Sequence, residues 1–279
     1  MILVLAFEGW ADAGDAASGA AKALRSGADF DVRHRFDAEQ YVDYQFTRPR
    51  LVLRDDARRE IVWPEIVLRV NEQTGVAVLD GPEPARHWPR FVREVIDLVT
   101  EIGVRRIVHL GAMLADVPHT RPVSVQTTSE NAALRAEHGI DRSLYDGPVG
   151  IGSILTRAAE DAGIAALALW ASIPHYVQNA PNPVGALALL DAAEAHTGTV
   201  VDRSELEAEA ETWRASVASL TEDSGEMSDY VRLLERARDT VDSPAASGEA
   251  IAEEFERFLR AEPDDESEQR RDDDIPPPV

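Results

Sequence analysis

The sequence predicts an α/β protein, a three-layer αβα sandwich with a mainly parallel sheet and a C-terminal helical appendage. Short apolar runs such as residues 2–7 are continuous, as expected for strands that are buried on both faces. These runs alternate with helical stretches, which is the pattern of a sheet covered by helices. After about residue 200 only the helical pattern continues. We therefore expect a sandwich domain over residues 1–200, a helical appendage over 201–262 and a disordered acidic tail over 263–279.

The predicted elements of the sandwich follow from the spacing of their apolar residues. Residues 12–24 are rich in alanine and predict a helix, and in residues 84–102 apolar side chains recur at steps of three and four. Residues 31–60 mix charged and aromatic side chains, which predicts one strand and an irregular excursion. Further strands are expected at residues 2–7, 66–70, 76–79, 104–110, 123–127 and 164–170, and further helices at 152–162 and 184–195.

Three short helices are predicted in the appendage. Ser204 and Glu207 have the S-x-x-E spacing of a capping box, which begins an amphipathic helix that reaches residue 220. Two more helices are expected at about residues 228–240 and 247–260. Helices of this length are not stable alone, so we expect them to pack on each other or on the sandwich.

The composition excludes several classes of partner and site. The chain carries 28 basic and 51 acidic residues, a net charge of −23, which excludes nucleic acid and anionic membranes as expected partners. The acidity favours solubility and a basic partner surface, or it reflects adaptation to salt. There is no cysteine for a disulfide or a thiolate site. No apolar run reaches the roughly 18 residues of a membrane span and no signal peptide is evident, so we expect a cytoplasmic protein.

Four loops at predicted strand ends are rich in Gly, Pro, His, Asp and Arg. In an open parallel sheet, ligands bind outside the carboxyl ends of the strands. We therefore expect the four loops to meet at one edge of the sheet and to carry the specific function. The first to fourth loops are residues 8–15 (EGWADAGD), 80–84 (DGPEP), 111–122 (GAMLADVPHTRP) and 172–183 (SIPHYVQNAPNP).

The first loop admits two interpretations. Gly9 and Gly14 flank a turn that opens a helix, and the start of a helix can bind an anion. Asp12 and Asp15, however, lie in the first turn, where they would cap the helix and repel a phosphate. Trp10 either stacks on a ligand or partner or is a buried aromatic residue.

The third and fourth loops hold side chains suited to acid–base chemistry. His119 can act as an acid or a base near neutral pH, and Arg121 can bind a carboxylate or a phosphate. Alternatively, Asp116 and Arg121 pair with each other and hold the loop. His175 and His119 could form a pair, but no metal-ligand spacing is present, so we predict no metal and no other cofactor. The predicted functional residues are Gly9, Trp10, Asp12, Asp116, His119, Thr120, Arg121, His175, Tyr176 and Asn179.

Several catalytic motifs are missing from the sequence, and no catalytic residue is assigned. The chain has no G-x-x-x-x-G-K-[ST] phosphate-binding loop, and Lys22 is its single lysine. No G-x-S-x-G elbow supports acyl transfer. The glycines of residues 147–152 (GPVGIG) do not have the spacing of a dinucleotide-binding loop. The charged run within residues 55–60 is most simply a solvated loop.

At these loops the sequence resembles the proteasome-assembly-chaperone family, in its prokaryotic branch common in actinobacteria. The resemblance covers roughly residues 1–200, and the helical region that follows also resembles the actinobacterial members. The spaced blocks ADVPHTRP and PHYVQNAPNP are the most specific part of it. The resemblance is carried by FEGWADAGDAA, RPRL, DGPEPARHWPRF, GAMLADVPHTRP, GPVGIGSIL and LWASIPHYVQNAPNP.

The resemblance implies a fold similar to nucleoside phosphorylases and related hydrolases. Eukaryotic members of the family are chaperones that pair and help arrange proteasome α-subunits, and they can dock through a C-terminal hydrophobic-Tyr-x tail. Here residues 275–279 are IPPPV, which lacks that tyrosine. The resemblance thus implies that this chain is a protein-binding, assembly-chaperone-like factor with a protein partner. It also implies that the chain forms a homo-oligomer.

Two alternatives to the chaperone-like role involve small ligands. One is a ligand-binding protein or enzyme with a phosphorylase- or hydrolase-like site at the carboxyl edge of the sheet. The other is a carboxylate–amine ligase of the ATP-grasp class, an activity also attributed to prokaryotic members of the family. A chain with one lysine gives the second alternative little support.

Overall fold

The structure is a computed structural model that describes residues 1–26, 28–54, 57–140, 142–178 and 180–241. Its strands are β1 (Ile2–Glu8), β2 (Asp31–Arg35), β3 (Arg50–Leu53), β4 (Arg59–Val62), β5 (Val67–Asn71), β6 (Val76–Pro82), β7 (Arg106–Ala115), β8 (Val125–Thr128) and β9 (Ala165–Pro174). Its α-helices are α1 (Ala16–Ser26), α2 (Ala38–Tyr41), α3 (Trp88–Glu101), α4 (Ala132–His138), α5 (Ile151–Asp161), α6 (Pro183–Thr197), α7 (Ser204–Glu222) and α8 (Gly225–Val241).

Seven strands form one sheet in the order β2-β5-β6-β1-β7-β9-β8, and β3 and β4 form a separate hairpin. The four neighbouring strands β6, β1, β7 and β9 are parallel to each other, whereas β5 and β8 pair with them in the antiparallel sense. Helices cover both faces, which confirms the predicted sandwich with a mainly parallel sheet. The carboxyl ends of the four parallel strands lie side by side, so the four predicted loops occupy one edge of the sheet.

Alternate residues of β1 supply the two cores of the sandwich, one on each face of the sheet. Val4 and Ala6 are fully buried with α1 and α6, whereas Leu3 and Leu5 are fully buried with α3 and α5. Successive side chains of a strand point to opposite faces, so a strand between two helical layers must be apolar at every position. This explains why the N-terminal run is continuous rather than alternating.

Two central strands are longer than the sequence predicts. β7 reaches Ala115 and β9 reaches Pro174, whereas the predicted ends are residues 110 and 170. The extensions pair with each other, with Gly111 opposite Trp170. A Cβ atom on Gly111 would lie 2.6 Å from the Trp170 ring. Gly111 therefore leaves space for the indole of the neighbouring strand, and it does not end β7. The first residues of the third and fourth loops therefore belong to the sheet.

Three further predictions differ from the structure. Helix α3 begins at Trp88 rather than at residue 84, because His87 has a left-handed φ of 57° that no continuous helix accepts. The hairpin β3–β4 and helix α4 were not predicted. Part of the charged run in residues 55–60 is strand rather than loop, because Arg59 and Glu60 lie on β4; residues 55 and 56 lie outside the described residues.

Helix α7 lies where the first helix of the appendage is predicted, but it is capped by a different residue. Arg203, not Ser204, is the N-cap of α7, and Asp202 Oδ1 accepts a hydrogen bond of 3.0 Å from the Ser204 amide. The capping-box prediction is therefore wrong: Ser204 is the first residue of the helix, and the Asp202 carboxylate accepts the hydrogen bond from the Ser204 amide that the Glu207 carboxylate would accept in a capping box. Arg203 also forms ion pairs with Asp191 and Glu194 of α6, which anchor α7 to the sandwich.

Residues Met1–Leu234 form one compact unit, and a second begins at Glu235, of which the structure describes the residues to Val241 at the end of α8. The predicted helix at residues 247–260 and the predicted tail from 263 lie outside the described residues, and the domain boundary at residue 200 stays a prediction. Among the described helices, none combines the length and the apolar character that crossing a bilayer requires.

Candidate functional site

The four predicted loops are connected to one another at the carboxyl edge of the sheet. The second loop bonds to the first, and the first bonds to both the third and the fourth. These contacts make the edge a single surface rather than four independent turns. The backbone hydrogen bonds run from Glu83 N to Glu8 O at 3.1 Å, from Ala112 N to Ala11 O at 2.8 Å and from Asn182 N to Gly14 O at 2.6 Å.

Asp12 of the first loop caps helix α1. Its side chain is 5% exposed, and Oδ1 accepts hydrogen bonds from the amides of Ala17 at 2.7 Å and Ser18 at 3.1 Å. Burial raises the pKa of the Asp12 carboxyl, and these hydrogen bonds oppose that rise. The carboxylate thus occupies the position where an anion would bind, which is the capping interpretation of this loop.

Replacing Asp12 with alanine is expected to lower the free energy of unfolding by about 1–2 kcal/mol, because two buried amides lose their acceptor. Asp12→Asn keeps an oxygen at the cap and is expected to retain most of that stability. Urea denaturation followed by circular dichroism measures both. Equal losses in the two variants would contradict the capping role.

The other first-loop residues have distinct roles. Gly9 and Gly14 have φ values of 108° and 61°, which side chains adopt only with strain, and a Cβ on Gly14 would lie 2.9 Å from the Asn182 Cβ. Trp10 is 60% exposed, so the buried-aromatic interpretation is wrong. Its indole is available to a partner at this edge.

The second loop is built around two carboxylates that serve the fold. Asp80 is nearly buried and forms ion pairs with Arg25 Nε at 2.7 Å and with Arg69. Glu83 Oε1 accepts a hydrogen bond of 2.8 Å from the amide of Ile151, the first residue of α5. Glu83 therefore caps a helix whose own N-cap residue, Gly150, has no side chain.

The glycine-rich segment of residues 147–152 serves packing rather than nucleotide binding. A Cβ on Gly150 would lie 2.9 Å from Glu83 Oε1, and one on Gly152 would lie 2.1 Å from His109 Nε2. His109 is fully buried against the edge of the Trp170 ring, at 5.4 Å between centroids. Both glycines are thus needed for α5 to reach the sheet.

The third and fourth loops meet in a cluster of four rings, His119, His175, Tyr176 and Tyr230, which we call the ring cluster. The His119 amide donates to the Tyr176 hydroxyl at 2.7 Å, and His119 Nδ1 lies 2.9 Å from the same oxygen. The His175 ring lies 5.7 Å from that of Tyr176 and 5.8 Å from that of Tyr230. Every ring pair meets edge to face, the geometry that aromatic quadrupoles favour.

Asp116 contacts two of the four rings of the ring cluster. Its Oδ1 lies 3.1 Å from His175 Nδ1 and accepts a hydrogen bond of 3.4 Å from the Tyr230 hydroxyl. Desolvation, followed by the Asp116 carboxylate, raises the pKa of Tyr230. Asp116 thus interacts with His175 and Tyr230. The sequence-based alternative, in which Asp116 pairs with Arg121, did not include these two residues.

Thr120 and Arg121 follow His119 directly in the third loop. One terminal guanidinium nitrogen of Arg121 lies 3.4 Å from the Thr120 carbonyl oxygen and 3.5 Å from its hydroxyl. Asn179 lies outside the described residues. The structure thus brings Asp116, His119, His175 and Tyr176 together, whereas Asp12 belongs to the start of α1.

Sequence reasoning missed two features of this edge. The first is Tyr230 of α8, which precedes Leu234 by four residues and so shares a helix face with it. That spacing is the one signal in the sequence that could have found it. The second is a cleft of about 870 Å³ beside the first and third loops.

This cleft, which we call the apolar cleft, has a mostly apolar surface. Trp10, Met113 and Leu114 come from the first and third loops, and Tyr145 comes from the segment before α5. All four are exposed on the surface of the chain. The cleft is also lined by polar residues, among them Thr128, Ser129, Thr156, Arg157 and Glu160. An exposed apolar surface of this kind is typical of a binding site for another molecule.

A smaller cleft of about 330 Å³ lies between the first and fourth loops. It is lined by Asp12, Asp15, Leu114 and Gln178, among others. Its two carboxylates make it unfavourable for a phosphate. Within the described ranges, no three His, Asp or Glu side chains lie close enough to hold a metal ion.

Comparison with known proteins assigns the family. The model of the PAC2 family matches residues 6–221. The chain belongs to the PAC2 family. This confirms the resemblance to proteasome-assembly chaperones that the loop motifs carry. No curated protein matches the chain.

Solved PAC2 structures from actinobacteria are similar to this chain. A PAC2 family protein of Streptomyces avermitilis is 37% identical, over 82% of this chain and 99% of that one, with a TM-score of 0.73. A proteasome-assembly chaperone homologue of Mycobacterium tuberculosis is 36% identical, over 83% of this chain and 100% of that one, with a TM-score of 0.72. PbaA of Pyrococcus furiosus, an archaeal homologue of proteasome-assembly chaperone, shares the fold at 16% identity, over 85% of this chain and 94% of that one, with a TM-score of 0.56.

Proposed function

We propose that this PAC2 protein is a protein-binding factor of the assembly-chaperone type, and that it holds its partner through the apolar cleft. The observation that carries the proposal is the exposure of Trp10, Met113, Leu114 and Tyr145 around one cleft at the carboxyl edge. Buried aromatic anchors supply most of the energy in protein interfaces. A free chain that leaves two aromatic and two aliphatic side chains in water at one edge is suited to such an interface.

Several polar residues of the four loops form contacts within the protein, which supports a protein-binding role rather than catalysis. Asp12 and Glu83 cap helices, and Asp80 is held by two arginines. His119 Nδ1 lies within hydrogen-bonding distance of the Tyr176 hydroxyl. A phosphorylase-like enzyme would instead need an anion site, and the smaller cleft presents Asp12 and Asp15 there.

The partner class follows from the relatives. One similar structure is named a proteasome-assembly chaperone homologue, so we take a proteasome subunit as the first partner to test. The proposal includes a cytoplasmic location and self-association into a homo-oligomer, both expected from the sequence. The net charge of −23 favours a basic surface on the partner.

Truncating the cleft is expected to weaken partner binding. Trp10→Ala and Leu114→Ala should each raise the dissociation constant for the bound proteasome subunit by about 30-fold, the effect of losing an interface anchor. Calorimetric titration with purified α- and β-subunits of the same host measures this. Leu220→Ala, which removes an exposed leucine of α7, is the matched control and should leave binding unchanged.

The possible outcomes test the role of the apolar cleft and the identity of the partner separately. Binding with equal affinity in the cleft variants and the control would contradict the role of the cleft. If neither subunit binds at concentrations up to about 100 µM, the proteasome subunit is wrong as the partner. Thermal shifts with nucleosides or phosphate, of the size a ligand at ~100 times its dissociation constant gives, would instead favour the enzyme alternative.

A further inference from the structure

The hairpin β3–β4 exposes an apolar face that nothing in the described part of the chain covers. Leu51, Leu53 and Ile61 are 61%, 67% and 56% exposed. The hairpin forms a sheet of its own, separate from the main sheet. A two-stranded hairpin is marginally stable in water and needs packing against another element. The exposed apolar side chains of the hairpin are therefore those expected to pack against another molecule.

The three aliphatic side chains lie on one face of the hairpin. Leu51 is paired directly with Ile61, so their side chains share a face, and Leu53 lies two residues further along the same strand. At the base of the hairpin the Trp63 ring meets the Tyr44 ring edge to face, with 5.0 Å between centroids. Trp63 is itself half exposed, so the apolar surface continues to the body of the protein.

The segment of residues 44–63, which contains the hairpin, also differs in charge from the rest of the chain. Residues 44–63 contain five arginines and three acidic residues, a net charge of +2 in a chain whose total is −23. The remaining residues therefore carry −25. An apolar, basic projection on a strongly acidic body is complementary to the surface of that body. The arginines are Arg48, Arg50, Arg54, Arg58 and Arg59.

We propose that the hairpin β3–β4 is the self-association surface, and that its apolar face packs on the acidic body of a second copy of this chain. Charge complementarity selects this occupant, because every copy presents an acidic body to the hairpin of another. Hairpin-to-hairpin contact is disfavoured since it would place two segments of net charge +2 against each other. A reciprocal two-fold dimer, in which each hairpin contacts the body of its partner, satisfies both copies. This inference specifies the surface for the self-association included in the proposed function.

Sedimentation velocity of the full chain tests the proposal. The wild-type protein should sediment at twice the 30.6 kDa chain mass at micromolar concentration. Leu51→Ser with Ile61→Ser removes the apolar face, and Arg48→Glu with Arg50→Glu reverses charge but keeps that face. Each pair should raise the dimer dissociation constant by at least tenfold, and raising salt from 50 to 500 mM should weaken the wild-type dimer. Leu220→Ser, an equally exposed leucine on α7, is the control.

A wild-type chain that stays monomeric up to 100 µM overturns the proposal. So does a dimer whose dissociation constant is the same, within twofold, in both hairpin variants and the control. The hairpin variants should still bind the partner of the apolar cleft, and Trp10→Ala should still dimerise. Failure of self-association is therefore distinguishable from failure of the proposed function.

Discussion

Replacing Gly81 with alanine is expected to destabilise the protein by about 4 kcal/mol, combining backbone strain with a steric clash. Gly81 has a φ of 136°, and an added Cβ would lie 2.2 Å from the Glu65 carbonyl oxygen and 2.9 Å from the Ile66 Cα. Both contacts are to backbone that enters β5, so neither can move without disturbing the sheet. Guanidinium denaturation measures the loss. The glycine of the second loop is thus explained by the close approach of two chain segments.

Gly75→Ala is the matched control for Gly81. Its φ of 69° is also left-handed, but no atom lies within 4 Å of the added Cβ. The expected cost is about 1–2 kcal/mol, from the backbone conformation alone. Equal losses at the two positions would show that the approach of Glu65 contributes nothing.

Lowering the pH from 6.5 to 4 is expected to reduce stability by about 3 kcal/mol through His109 alone. Burial lowers the pKa of this histidine to about 4, from an ordinary value of 6.5. Between these values the unfolded chain binds a proton that the folded chain does not, so acid favours unfolding. The contribution is fully present above pH 6.5 and is lost as the pH falls towards 4.

His109→Gln removes the titration and isolates this effect. Other groups titrate alike in the variant and the wild type, so the difference between their stability curves reports on position 109. The wild-type curve should fall more steeply by about 1.4 kcal/mol per pH unit in this range. Parallel curves for the two proteins would mean that His109 is accessible to protons in the folded state.

Much of the fold could be predicted because its strands are buried on both faces. Residues 2–7 are a continuous apolar run, and β5 and β6 are mostly apolar strands joined by a clear turn; the structure confirms all three. The hairpin β3–β4 could not be found in this way, since Leu51 and Ile61 face water and do not follow a burial pattern. The capping box at Ser204 failed because Asp202 competes for the same amide. Local sequence patterns predict helices and strands well. They do not show which of several neighbouring polar side chains caps a helix.

The candidate site was predictable only in position. Parallel strands bring their carboxyl ends together, so the meeting of the four loops follows from the strand order. The role of each side chain depends on contacts that the sequence does not contain. Asp12 could equally have faced a ligand, and Tyr230 contacts Asp116 across 114 positions of the chain. The apolar cleft is likewise assembled from segments that are far apart in sequence, between Trp10 and Trp170.

The contact between Tyr230 and Asp116 has a consequence for the order of events during synthesis. The ribosome delivers residues 116 and 175 well before residue 230, and domains begin to fold from the N-terminal side. The nascent sandwich can thus form its sheet while the rings of His175 and Tyr176 still lack their fourth member. Only the arrival of α8 completes the ring cluster. The third and fourth loops therefore gain the contacts of Tyr230 only after α8 has been synthesised.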